Sequence, residues 1–420
     1  RMSVPSDGLL STDVTWDEVE RLLTQSLKTE AKFGANKSVT QLGQGFMSRI
    51  GLIMCDWEGA KHRERLPERI ALKMTTFGAS KAMAEKVGDK FSSTEKGEDE
   101  AQKKIREGWA NFVIETHNTE VDVYRFLTRL DADLTVPVCY YSAPFTKENV
   151  LAGSLALEYS TNSRVIPFHE TMSVDQVKQI ARALGKIQAA SVRGGVDKEL
   201  SLTRDSWTKF WSQLPPVMFR QFMEKTKELD KSLVECVDAA LLLLPEYFGS
   251  NLPMTIHKQM NCGRVLVNGD HWSANVLFDA TTGDLRSIID WQISHAGVGV
   301  EDLLRISMSG LNSIDRRSHM PDILNEMYDS MKTHLEGATE PYSRELMSDL
   351  YDLLLPHAAF FFAPILTPLF ASAIDGGNSA EDKKMRKEVI VDKVRGIYED
   401  IAIYHETNQK KGLNLKWKAS

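Results

Sequence analysis

From Val174 to Asn408 the apolar spacing predicts one helix after another, and that run is broken once, by NGDHWSANVLFDATTGDLRSIIDWQ at 268–292. Inside it Val276–Phe278 and Leu285–Ile289 are short apolar strands around the turn ATTGD, which reads as a β-hairpin. The helices expected around the hairpin are Val174–Val192, Asp205–Asp230, Leu233–Phe248, Glu301–Leu311, Pro321–Leu335, Arg344–Leu355 and Glu381–Asn408.

The first 160 residues have a different texture. Thr15–Glu30 carries Trp16, Val19, Leu22, Leu23 and Leu27 at helical spacing, and Arg69–Thr76 alternates as a strand with Ile70, Leu72 and Met74 on one face and Ala71, Lys73 and Thr75 on the other. A polar stretch at 78–108 reads as an insertion. Trp109–Leu130 follows as a helix, then VPVCYYSA and VLAGSLALEYS as strands. The expected architecture is α+β and bilobal, with a small antiparallel-sheet lobe at 1–160 and a larger, mostly helical lobe at 161–420.

A formal net charge of −7 argues against nucleic acid as the main partner, because phosphate-backbone binding needs a basic surface. The four cysteines, Cys55, Cys139, Cys236 and Cys262, are scattered, which suggests neither a zinc site nor a disulfide framework and fits a reducing compartment. The start, RMSVPSDGLLSTD, shows no apolar core of signal-peptide length, so a cytoplasmic location is expected. Leu353–Ala371 tests that view with 19 residues free of formal charge other than a protonatable His357. Pro356, Pro364 and Pro368 favour a buried helix pair over a membrane span.

The hairpin carries the chemistry. Counted back from a turn centred between Thr282 and Gly283, a bulge-free hairpin puts Asn275 opposite Asp290 at its open end. An amide oxygen and a carboxylate there make a hard-oxygen pair suited to Mg²⁺, which takes few protein ligands and completes its shell with water and phosphate. Asp270, in the loop before the first strand, is placed to orient an acceptor hydroxyl. A plain Asn268-Gly269 turn accounts for the same residues without chemistry.

In the small lobe, Lys73 on its strand and Glu120 on the following helix are each awkward alone and compatible as a pair. A lysine fixed by a glutamate presents its ammonium to nucleotide phosphates. In LGQGFMSRIG, Gly43 and Gly45 allow close approach to phosphate, and Ser48 offers a hydroxyl or amide at the loop tip; taken alone the glycines read as a plain hairpin turn, and it is their position before the Lys73 strand that points to phosphate. Glu301 and Asp302 open a helix, where acids favour the dipole. Trp207, Trp211, Trp272 and Trp291 are candidates for an aromatic cage or for core.

In this order the parts resemble the protein-kinase-like small-molecule phosphotransferases of the choline-kinase and aminoglycoside-phosphotransferase group. The run LVNGDHWSANVLF, IIDWQ and GVGVEDLLR looks most like the CHK-kinase-like, ecdysteroid-kinase-like proteins of the nematode branch. The resemblance implies a kinase dependent on ATP and Mg²⁺, with a small-molecule alcohol as acceptor. It implies Asp270 as catalytic aspartate, Asn275 and Asp290 as metal ligands, Lys73 on the nucleotide phosphates and Glu120 orienting it. It further implies the backbone of Glu158 and Tyr159 against the adenine, and Asp302 as support for the catalytic loop. Asn268 stands where that family commonly has His; an amide can hold the loop by hydrogen bonds. A nucleotide-binding module without turnover is the alternative.

Overall fold

The structure is a computed structural model and describes residues 8–44, 48–59, 65–76, 100–130, 133–149, 152–199, 216–248 and 252–413. The chain divides into two compact units, one formed by Arg1–Asp131, Pro137–Thr161 and Trp291–Ile293, the other by Ala132–Val136, Asn162–Asp290 and Ser294–Ser420.

The first unit opens with the helix Trp16–Leu27. Thr15 caps it by accepting from the Glu18 amide, Asp17 and Glu18 sit in its first turn, and Val19 and Leu23 bury one face. Seven strands follow: β1 (Lys32–Phe33), β2 (Ser38–Gln44), β3 (Ser48–Met54), β4 (Trp57–Glu58), β5 (Arg69–Thr76), β6 (Cys139–Ala143) and β7 (Ala152–Glu158). β1 and β4 pair with each other; the other five form an antiparallel sheet in the order β2-β3-β5-β7-β6. The alternation in β5 decides what each face holds. Ile70, Leu72 and Met74 enter a core with Val19, Leu23, Phe33, Ile53, Trp57 and Tyr141, and burying each aliphatic side chain is worth about 1.5–3 kcal/mol. The opposite face carries Lys73 and Thr75, which meet Glu120 and His117 of the helix Glu100–Arg129. That helix begins nine residues ahead of the expected Trp109, so the last part of the polar 78–108 stretch is helical; residues 77–99 lie outside the described residues.

The second unit holds β8 (Ser163–Arg164), β9 (Val265–Val267), β10 (Val276–Asp279), β11 (Leu285–Ile288) and β12 (His295–Gly297) among its helices. β10 pairs with β11 and β8, and β9 pairs with β12, all antiparallel. The helix Val174–Arg193 starts in a capping box between Ser173 and Gln176 and packs along the helix Ser313–His334. The helix Leu252–Gln259, ahead of β9, was not expected from the spacing.

Four prolines mislead. The Ser313–His334 helix starts eight residues before the expected Pro321, because Asn312 caps it through the Asp315 amide, and Pro321 lies inside it. Arg344–Asp375 is one continuous helix containing Pro356, Pro364 and Pro368, where a helix pair was expected. An internal proline costs a helix about 3 kcal/mol. The packing of this helix, largely along Ala380–Lys410, overrides that local penalty. By length and composition it is able to cross a membrane, but 72% of its apolar window is buried inside the unit.

Candidate active site

In the first unit β5 lies between β3 and β7 and sets Lys73 opposite Ile50 and Leu155. Lys73 Nζ donates to Glu120 Oε2 at 2.6 Å, and both side chains are almost wholly buried. One turn earlier on the same helix, His117 bonds the Thr75 hydroxyl at 3.1 Å and the Ala143 carbonyl at 2.9 Å. Burial, with the Lys73 charge adding to it, pushes the His117 pKa down to about 4, so the ring is neutral at physiological pH. Gly153 makes room for that ring: a Cβ there would stand 2.2 Å from its Nε2.

The glycine turn differs in part from expectation. Gly43 stands at a register shift in β2, with open space where a Cβ would be, while Gly45 falls outside the described residues. Ser48 does not sit at the loop tip; it is the first residue of β3, pairs with Thr75 and is buried, so its side chain is not presented to a ligand. The Glu158 amide donates to the Val138 carbonyl at 2.8 Å and the Glu158 carboxylate accepts the Val138 amide at 3.2 Å. The Glu158 amide is thus engaged within the sheet.

In the second unit the loop after β9 is tied down residue by residue. Gly269 takes the left-handed turn with φ 82°. Asp302, at the start of the helix Val300–Gly310, accepts the Asn268 amide at 2.9 Å and the Gly269 amide at 3.0 Å, so its carboxylate serves this loop and not only its own helix dipole. The Asn268 side chain, fully buried, accepts the Asp270 amide at 3.1 Å and donates to the carbonyls of Ile289 and Asp290 at 3.3 and 3.2 Å. The Asn268 amide thus holds the loop by hydrogen bonds, and it also clamps the loop to the end of the hairpin. Asn275 Nδ2 donates to the Asp270 carbonyl at 2.8 Å and lies 3.3 Å from Asp270 Oδ2.

The hairpin forms, with a shift in register. Val276 faces Ile288 and Leu277 faces Ser287, but Phe278 faces Leu285, so Arg286 is an extra residue on β11. The Arg286 guanidinium reaches back to Asp279. The turn is centred between Thr281 and Thr282, one residue before the expected place, and the bulge makes up only part of the difference, so the Asn275 main-chain carbonyl accepts from the Ile289 amide at 3.0 Å where Asp290 was expected. Asp290 follows in the left-handed region at φ 62°, a conformation that costs a non-glycine residue about 1–3 kcal/mol and concentrates at functional sites.

Among the described residues no three His, Cys, Asp or Glu side chains gather as a metal nest. Mg²⁺ needs none, since one amide oxygen and one carboxylate suffice when water and phosphate complete the octahedron. Asn275 suits this: its nitrogen faces Asp270, which leaves Oδ1 as the acceptor.

Arg305 and Ser309, which sequence reasoning passed over, also grip the loop. Arg305 Nη1 lies 3.3 Å from Asp270 Oδ1, and the Ser309 hydroxyl accepts the Ser273 amide at 3.0 Å. Their signal was the spacing: Asp302, Arg305 and Ser309 fall at i, i+3 and i+7 of one helix, polar residues on a single face. His271 is fully buried, and its ring nitrogens have no hydrogen-bond partner among the described residues; burial pushes its pKa down to about 3 and keeps it neutral. Trp291 is fully buried and Trp272 partly so, while Trp207 and Trp211 lie outside the described residues.

Burial raises the Asp302 pKa from its ordinary 3.8 to about 6, against the lowering effect of the two loop amides. A carboxyl that holds its proton more tightly when folded adds stability below the unfolded pKa and loses that contribution as pH rises through the folded one. Urea unfolding is therefore expected to show wild-type stability falling relative to Asp302→Asn between pH 3.8 and about 6, and a constant difference above that window. Parallel curves across the window would contradict the assignment.

A five-stranded antiparallel sheet backed by one long helix, followed by a helical unit that carries a braced loop and hairpin, defines an α+β chain of protein-kinase-like fold. The family model DUF1679, described as "Uncharacterized oxidoreductase dhs-27", matches residues 2–409, and the chain belongs to that family. It is 22% identical over 277 residues to the "Uncharacterized kinase-like protein D1044.1" of Caenorhabditis elegans, covering 63% of this chain and 70% of that protein. Among solved structures it is similar to choline kinase from Cryptosporidium parvum Iowa II, at TM-score 0.47 and 10% identity over 94% of this chain and 98% of that one. It is also similar to a putative aminoglycoside phosphotransferase from Ralstonia eutropha JMP134, at TM-score 0.44 and 16% identity over 91% and 97%.

Proposed function

We propose that the protein is a phosphotransferase, dependent on ATP and Mg²⁺, that moves the γ-phosphate to a hydroxyl of a small molecule such as a choline-like, steroid or xenobiotic alcohol. The observation that carries this reading is the bracing of Asp270, on a loop whose two preceding amides are held by the buried Asp302 carboxylate. Phosphoryl transfer asks a protein mainly for positioning and charge, and a carboxylate fixed in this way orients an acceptor hydroxyl. Lys73, fixed by Glu120, presents its ammonium to the nucleotide phosphates. Asn275 and Asp290 are the ligands for Mg²⁺, which when bound neutralises phosphate charge. The turn at Gly43 and Gly45 approaches phosphate, and the backbone at Tyr159 meets the base.

Within its family we place the chain with the CHK-kinase-like proteins. The word oxidoreductase in the family description is not matched by a dinucleotide fingerprint, for the sequence contains no G-x-G-x-x-G and Ser48 stands where the third glycine of LGQGFMSRIG would be. We further place the protein in the cytoplasm, with neither nucleic acid nor membrane as partner; recovery from lysate only with detergent would refute this.

The test is thermal melting with ATP and Mg²⁺, followed by phosphate transfer from ATP to an acceptor panel. Ligand at a hundred times its Kd adds about 2.7 kcal/mol, well within reach of melting. Stabilisation together with a phosphorylated product is the expected result. Stabilisation with no product from any acceptor supports the nucleotide-binding module instead, and no stabilisation refutes both.

A further inference from the structure

We propose that Arg305 is a positioning residue for Asp270, holding its carboxylate in the orientation that receives the acceptor hydroxyl; this rests on the phosphotransferase reading above. Two neighbours fix the carboxylate from opposite ends, Arg305 Nη1 at 3.3 Å from Oδ1 and Asn275 Nδ2 at 3.3 Å from Oδ2. The loop backbone does not depend on Arg305. Asp302 holds the amides of Asn268 and Gly269, the Asn268 side chain holds the amide of Asp270, and Ser309 holds that of Ser273.

Removing the guanidinium therefore takes the charged neighbour from Oδ1 while the main chain stays in place. The Asp270 side chain is 23% exposed, open enough to swing when one neighbour is lost. Arg305 itself is anchored in a buried helix, where its carbonyl accepts the Ser309 hydroxyl at 2.9 Å. A guanidinium suits this purpose better than an ammonium, because the donor that meets Oδ1 is held on a rigid plane, whereas the donors of a lysine rotate on a flexible stem.

Misplacing a reacting group by about 1 Å costs on the order of 100-fold in rate. Arg305→Ala is expected to lower kcat by about that factor with the KM for ATP unchanged, and Arg305→Lys to recover part of it by restoring the charge without the plane. A double-mutant cycle of Arg305→Ala and Asp270→Asn on melting temperature checks the pair without reference to activity, and non-additive shifts are expected. Additive shifts overturn the proposal, and so does an active wild type whose kcat is untouched in Arg305→Ala. If instead the cycle couples but the wild type phosphorylates nothing, the phosphotransferase reading fails while the ion pair stands. If Arg305→Ala does not fold, Arg305→Lys and Arg305→Gln carry the same comparison, and a kcat equal to wild type in both overturns it.

Discussion

Asp270→Asn is expected to lose turnover by about 10²–10⁴-fold, the range over which a positioned acid or base contributes to rate, while keeping the melting shift produced by ATP and Mg²⁺. The substitution preserves shape and removes one negative charge. The main-chain bonds of the loop stay, since Asp302 holds the two amides before it and Asn268 holds the amide of residue 270 itself. The amide introduced has one oxygen, which either faces Arg305 or receives a hydroxyl, whereas the carboxylate has two. Asp290→Asn is the contrast: as a proposed metal ligand it should lose most of the shift that depends on Mg²⁺. Each variant is measured for phosphate release to acceptor and for melting temperature with nucleotide alone and with nucleotide plus Mg²⁺. Full turnover in Asp270→Asn would exclude it as the residue that orients the acceptor. An equal loss of nucleotide stabilisation in both variants would mean that neither has the separate role assigned to it.

Much of the first unit was legible because its elements obey local rules. β5 shows the two-residue period plainly, and the face assigned to Lys73 is the face that meets Glu120, 47 residues away. That pairing could be argued from cost alone, because an amine and a carboxylate at apolar positions each need a partner. The hairpin was legible as a hairpin, from its turn and its two apolar runs. Its register was not, because the turn closes one residue before the expected centre and Arg286 is then an extra residue on β11, and nothing in the spacing of ATTGD reports either. Ser48 shows the same limit. Its pairing with Thr75 of β5, which local spacing does not report, is what makes it the start of a strand.

The prolines misled for another reason. Pro321 and the three in Arg344–Asp375 are strong local stop signals, yet tertiary burial overrode all four. The grip of Arg305 and Ser309 on the loop after β9 was hidden differently. Their helix was foreseen, but its polar stripe has meaning only once the loop it faces is known.

Glu120→Ala is expected to destabilise the protein by about 3–5 kcal/mol, since it breaks a buried ion pair by removing the carboxylate to which Lys73 donates. The magnitude follows from asymmetry: taking both charges out of water is costly, and their attraction at 2.6 Å offsets that cost only while both remain. Replacing both with apolar residues of similar size, as in Lys73→Met with Glu120→Leu, should recover most of the loss, because buried pairs exchanged for packed hydrophobics are often neutral. The double variant thereby separates two reasons for keeping the pair. If the pair serves stability alone, the double variant behaves as wild type in urea unfolding and in melting with ATP and Mg²⁺. If Lys73 holds nucleotide phosphates, the double variant unfolds like wild type in urea but gains little from nucleotide. The second pattern is the one expected under the proposed function, in which two charges whose burial adds little to folding are kept for a ligand that meets the ammonium.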